Sequence, residues 1–215
     1  MRWRRVPAVR VQPRSGTYKE WKQLIADDCG EQCVYCAIHE SLYGGLDNFH
    51  VEHYRPRSNR RFRHLENVIV NLFLACAICN RFKGNDWPND PLQNHTRIAY
   101  PDPSRCDYNA LFLVEPKNFT ISGSYVASAY VVYRLYLNRP QLVLERRNAA
   151  AEERIEKMHG LFDNAYRALP AADPSLQAIR NVLLEFSRSL LQIEQAFRQA
   201  NGVRPYELAD VRRAR

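Results

Sequence analysis

The sequence predicts a helix-rich α+β fold, with a small strand–loop–strand–helix core stapled by a four-cysteine zinc site and an α-helical region after it. Three observations lead there. Two short β-prone runs, 49–54 and 68–75, flank a polar loop and run directly into a helix start at 77–83. Two Cys-x-x-Cys turns, Cys33/Cys36 and Cys76/Cys79, bracket that unit. From Tyr125 onward the apolar residues recur at helical spacing.

Taken in order, residues 1–16 are rich in Arg and Pro and break at Ser15-Gly16, which predicts an extended basic arm, either on phosphates or solvated. Thr17 is placed to cap a short helix over 17–28, with Trp21, Leu24 and Ile25 on one face. Cys29-Gly30 ends it, and the CVYC turn follows. A connector over 37–48 turns at Gly44-Gly45. Residues 49–54 alternate as a strand until Pro56, and the Arg-rich loop 57–66 is too polar to be core. Pro88, Pro91, Pro101 and Pro103 make 86–107 an irregular wrap, and 112–121 reads as one or two strands about Lys117-Asn118. Helices are expected over 127–138, over 141–169, and from the Asp173 cap and Pro174 through Phe197, with Asn201-Gly202 closing the last. The implied organisation is a basic arm (1–16), a zinc-stapled domain (17–122) and a helical region (123–215) that offers an interface to a partner or DNA.

Lys and Arg total 31 against 23 Asp and Glu, a net charge of +8 and a pI near 9.3. That balance favours an anionic partner, nucleic acid first among them, or serves solubility alone. Clustering favours the first: Arg55, Arg57, Arg60, Arg61 and Arg63 crowd the loop beside the 49–54 strand. No window approaches the ~20 apolar residues of a membrane span, and no apolar run follows the charged N-terminus as in a signal peptide. Six cysteines, four of them in two Cys-x-x-Cys pairs, suit thiolates on zinc in a reducing cytoplasm better than a secreted disulfide scaffold.

Zn²⁺ prefers four soft or borderline ligands in a tetrahedron, and each Cys-x-x-Cys turn presents two sulfurs to one side of the ion. Such a closed site has no open position, so it holds the fold and leaves the reaction elsewhere. Cys29 and Cys106 are left over as ordinary buried thiols. The chemistry then falls to Glu52, His53 and Asn80. His53 has the intrinsic pKa of a general base that deprotonates water. One carboxylate (Glu52) and one amide oxygen (Asn80) leave most of a coordination sphere to water and phosphate, which suits Mg²⁺ or Mn²⁺. Neighbours on an ideal strand point to opposite faces, so Glu52 can share a site with His53 only where the backbone twists or bulges. Arg55, Arg57, Arg81 and Lys83 are candidate phosphate contacts, or solvated loop charges. His50 faces the same pocket or a phosphate, or is an ordinary strand histidine.

The succession CVYC, VEHYRP, VNLFLAC and AICNRFKG resembles the zinc-stabilised HNH endonucleases of the His-Me finger (ββα-metal) class, over residues 29–85. The resemblance implies His53 as the base, Glu52 and Asn80 as ligands of the catalytic divalent ion, and Asn71 as the middle asparagine that braces the loop orienting His53. Cys33, Cys36, Cys76 and Cys79 would be the structural zinc ligands. Many relatives carry Asp where this chain has Glu52. With YPDP and LNRPQLVLERR (125–147), the chain is also similar to a bacterial HNH family associated with retrons and Septu-type phage defence. That likeness implies a DNA-cutting effector beside a partner ATPase, engaged through the C-terminal helices. The readings that compete with it are a non-catalytic zinc module that binds nucleic acid or a protein, and a relative that cuts RNA.

Overall fold

The computed structural model describes residues 2–170 and 173–200, and the chain divides into two compact units, Met1–Glu145 and Arg146–Arg215. It is the mixed, helix-rich α+β class expected. The first unit is built on one antiparallel hairpin, β1 (Phe49–His53) with β2 (Leu72–Cys76), paired one to one from Phe49↔Cys76 to His53↔Leu72.

β2, Leu-Phe-Leu-Ala-Cys, is buried at every position. It tolerates an unbroken apolar run because its second edge is also satisfied. Val34 donates its N–H to the Leu74 carbonyl (3.0 Å), the Leu74 N–H meets Cys29 Sγ (3.3 Å), and Arg10 Nη1 donates to the Leu72 carbonyl (2.7 Å). β1 is less uniformly covered: Phe49 and Glu52 are buried, Val51 and His53 half-buried and His50 exposed. α1 (Lys22–Asp28) lays Ile25 and Ala26 on β2. It starts later than Thr17 because Thr17 and Glu20 close a turn of their own, the Glu20 carboxylate accepting the Thr17 N–H at 2.7 Å. α2 (Ala77–Lys83) leaves β2 without a loop, capped by Cys76 Sγ, which accepts the Cys79 N–H.

The arm expected over 1–16 is not free. Trp3 stacks on Phe112 with ring centroids 5.0 Å apart, Val6 is buried, and the Arg10 guanidinium lies over Phe73 and beside Asp28. Apolar residues spaced along a polar tract gave this strap its anchorage, and the charge count hid them.

The wrap over 86–107 is tied down by tyrosines. Tyr54 donates its hydroxyl to the Tyr100 carbonyl (2.6 Å) and Tyr108 to the Pro101 carbonyl (2.8 Å). Asp86 accepts from Tyr100, Tyr130 and Arg134. α3 (Tyr108–Leu111) leads to a second hairpin, β3 (Phe112–Val114) and β4 (Ile121–Gly123). α4 (Val126–Arg134) crosses β4 so closely that a Cβ on Gly123 would sit 2.1 Å from the Ala129 nitrogen. α4 ends four residues before the expected Asn138, and α5 (Pro140–Ala168) opens with its proline in the first turn.

In the second unit, the part of α5 from Arg146 lies against α6 (Gln177–Ala200). Phe162 and Phe186 stack at 5.5 Å, and Arg180 covers the Tyr166 ring and donates to the Leu169 carbonyl. Asp173 caps the turn before α6 by accepting the Ser175 N–H at 2.9 Å. The Asn201-Gly202 stop and the Phe197 side chain lie outside the described residues. Among the described residues, no helix is long and apolar enough to cross a membrane.

Candidate active site and metal centre

One end of the β1–β2 hairpin carries the cysteines. The knuckle returns on itself because Ala37 takes a left-handed turn (φ 58°) and the Ala37 and Cys33 amides bond Cys33 and Ile38 carbonyls. Cys76 ends β2 and Cys79 sits in the first turn of α2. All four sulfurs are buried and lie within 4.8 Å of one another. As bare thiols they cannot ionise together. Burial, and hydrogen bonds shared with Cys36, Cys76 and Cys79, push Cys33 well up, while bonds from the other three pull Cys76 down. A divalent ion resolves that conflict, and four converging sulfurs fit a tetrahedral thiophilic metal such as Zn²⁺. Arg139 reaches the same cluster, its guanidinium nitrogens 3.7–3.8 Å from Cys36, Cys76 and Cys79 Sγ.

The other end of the hairpin carries His53. It opens on a cleft of about 460 Å³ lined also by His50, Glu52, Arg57, Asn80, Tyr18, Lys19 and Lys22. His53 Nε2 lies 3.0 Å from the Glu66 carbonyl. A carbonyl can only accept, so Nε2 carries the proton and Nδ1 keeps its lone pair. Burial, then Arg57 and Lys83, lower the His53 pKa against the opposing pull of Glu66, which keeps the ring neutral. Tyr18 packs edge-on to the imidazole at 4.8 Å.

Asn71 spans the loop between the strands. Its Oδ1 accepts the Arg55 N–H (2.9 Å), and its Nδ2 donates to the Arg55 and Leu65 carbonyls (3.1 and 3.3 Å). It thereby ties the residue two past His53 to the peptide beside Glu66, which holds the imidazole.

Glu52 is 3% exposed and its Oε1 lies 2.5 Å from Lys83 Nζ, with the Tyr35 hydroxyl at 3.4 Å. Burial raises its pKa, and Lys83 and Tyr35 oppose that. No bulge brings it round to the His53 side: the ladder is continuous, and Glu52 lines the cleft from its own buried position on β1. Oε1 is committed to Lys83, and Oε2 has no such partner among the described residues. One carboxylate oxygen of Glu52 and the amide oxygens of the half-buried Asn80 and the exposed Asn85 line this cleft and could be offered to a hard divalent ion.

Lys83, expected as a phosphate contact, is fully buried and also donates to the His53 carbonyl at 3.1 Å. Its neighbours in α2 carried no sign of this inward turn. Arg57 lies at the cleft, paired with Glu66 (2.6 Å) and over Tyr18. Arg55 lines a separate cavity with Asp90 and Asp102, and Arg81 is exposed on α2 outside the cleft. Sequence reasoning missed Tyr18, Lys19 and Lys22, which the Thr17 turn and α1 bring across from β1. The lysines beside a capping Thr were the available signal.

The family model described as HNH endonuclease matches residues 33–86. That span runs from the first knuckle cysteine to Asp86 and contains both Cys-x-x-Cys pairs, Glu52, His53, Asn71 and Asn80. Residues 33–86 are thus similar to the HNH endonuclease domain and carry a cysteine cluster placed to hold a metal ion. No curated protein and no solved structure matches the chain.

Proposed function

We propose that this chain is a metal-dependent endonuclease that hydrolyses DNA phosphodiester bonds, with His53 as its general base and a structural zinc in the four-cysteine centre. The observation that carries the reading is the free Nδ1 of a neutral His53 in a cleft that Asn80 and Glu52 also line. His53 Nδ1 takes the proton of the attacking water, whose oxygen bonds to phosphorus as the opposite P–O bond breaks and the leaving oxygen gains a proton from solvent. Glu52 and Asn80 would hold Mg²⁺ or Mn²⁺, which would supply positive charge against the charge that develops during hydrolysis. Asn71 and Lys83 hold the backbone at the base and just after it in register.

Lys19, Lys22 and Arg57 ring the cleft, and the exposed Arg81 adds to the +8 balance. Such cations position a phosphate backbone without reading sequence. The likeness over 125–147 supports a finer role: the cytoplasmic nuclease effector of an anti-phage system that acts with an ATPase. Ile179, Val182 and Ile193 on α6 are each at least half exposed, apolar surface of the kind a protein partner covers.

One observation favours a second reading, a non-catalytic zinc module that binds nucleic acid or a protein: the carboxylate a catalytic ion needs is already paired with Lys83. Incubating supercoiled plasmid with Mg²⁺ or Mn²⁺ separates the two. Wild type is expected to nick or linearise it, and His53→Ala to lose about 10²–10⁴-fold in rate with metal content and melting intact. Equal cutting by both proteins would remove His53 from the mechanism. Single- and double-stranded DNA and RNA run in parallel identify the substrate.

A further inference from the structure

We propose that Arg139 is the counter-ion of the four-cysteine centre, so that three segments rather than two hold the metal: the knuckle, the β2–α2 junction and the corner between α4 and α5. The inference rests on the zinc reading above.

The contacts are specific. Arg139 Nη2 faces Cys36, Cys76 and Cys79 Sγ at 3.7, 3.8 and 3.7 Å, and Nη1 faces Cys79 at 3.7 Å. Nη1 also donates to the Leu135 carbonyl at 3.2 Å, and Nε is buried without a partner. Among the described residues no carboxylate pairs with this guanidinium. Its charge is directed at sulfur.

The corner is built to deliver it. Leu135, Leu137 and Leu142 are fully buried. Asn138 grips β4 in both directions, its Oδ1 accepting the Ile121 N–H (2.7 Å) and its Nδ2 donating to the Ile121 carbonyl (2.8 Å). Tyr136 holds a left-handed backbone (φ 49°) that a bulky side chain seldom adopts, and its ring packs on Phe82 of α2. These anchors leave the residue after Asn138 little choice of direction.

The chemistry needs such a cation. A divalent ion with four thiolates carries a net charge of −2, and these sulfurs are buried, where unneutralised charge is costly. N–H donors on the sulfurs draw charge from them, which strengthens the closed centre and blunts thiolate attack on outside electrophiles. Arginine suits this better than lysine, since its planar fork reaches several sulfurs at once.

The test compares wild type with Arg139→Ala, Arg139→Gln and Arg139→Lys. Each purified protein is assayed for zinc content, for the rate of zinc transfer to a chromophoric chelator, and, after Co²⁺ substitution, for the sulfur-to-cobalt charge-transfer bands. Arg139→Ala and Arg139→Gln are expected to lose zinc about 10–100-fold faster and to shift the cobalt bands to lower energy. Arg139→Lys should fall between them and wild type. Wild-type transfer rates and unshifted bands in all soluble variants would overturn the proposal, and Arg139→Lys keeps the comparison available where truncation prevents folding. Wild type purified and reconstituted without stoichiometric zinc would instead overturn the zinc reading beneath it.

Discussion

The four-cysteine centre and the His53 cleft sit at opposite ends of one hairpin of five-residue strands, yet they are built on different terms. The centre uses four copies of one side chain, all buried, converging on a single point. The cleft mixes imidazole, carboxylate and amide, part exposed, and most of these groups are also engaged in holding the fold. His53 is bonded to Glu66, Asn71 to Arg55 and Leu65, and Glu52 to Lys83. A closed metal site can be purely structural. The proposed hydrolysis needs Nδ1 and the Asn80 amide left available, so the cleft borrows rigidity from neighbours that would do no chemistry.

The sharpest way to break that contrast is at Cys76, which is both a ligand candidate and the cap of α2. Cys76→Ser is expected to abolish metal retention and cooperative melting of the first unit, since a structural zinc contributes on the order of 10 kcal/mol. Melting curves with and without chelator measure it. A variant as stable and as metal-loaded as wild type would mean that this end of the hairpin stands without the centre.

Lys83→Met tests the other end. It leaves Glu52 buried and unpaired, and breaking such a pair costs about 3–5 kcal/mol, read as a fall in the urea midpoint. Adding Glu52→Gln should recover part of that loss, because it removes the stranded charge. No change in Lys83→Met would show that the carboxylate is not committed to Lys83 in solution, and would strengthen its candidacy as a metal ligand.

The smallest effect concerns pH. His53 is held below the ordinary imidazole value of about 6.5, and in the proposed mechanism the neutral ring is the competent base. Cleavage is therefore expected to stay flat as pH falls past 6.5 and to drop only through the lowered pKa. An acid limb above about 6.5 in the pH dependence of kcat/KM would mean that burial does not govern this imidazole.

Much of this was legible in the chain itself. The two Cys-x-x-Cys pairs, the apolar run into α2 and the order Glu52-His53, Asn71, Asn80 are local in sequence, and local chemistry determines them: a knuckle presents its sulfurs and a period of two makes a strand whatever lies around it. The helix ends were legible to within a turn where a capping residue marked them, as at Asp173 and Pro140. Long-range packing decided the rest. Lys83 reads as a surface cation until β1 places Glu52 beneath it. Residues 1–16 read as a charged arm until Trp3, Val6 and Arg10 find Phe112, the core and the edge of β2. Arg139 reads as the residue before a helix proline until its corner brings it within hydrogen-bonding reach of sulfurs contributed from 60 and 103 positions away. Side-chain type is written in the sequence, but a charge acquires its partner only when tertiary structure chooses what stands opposite it.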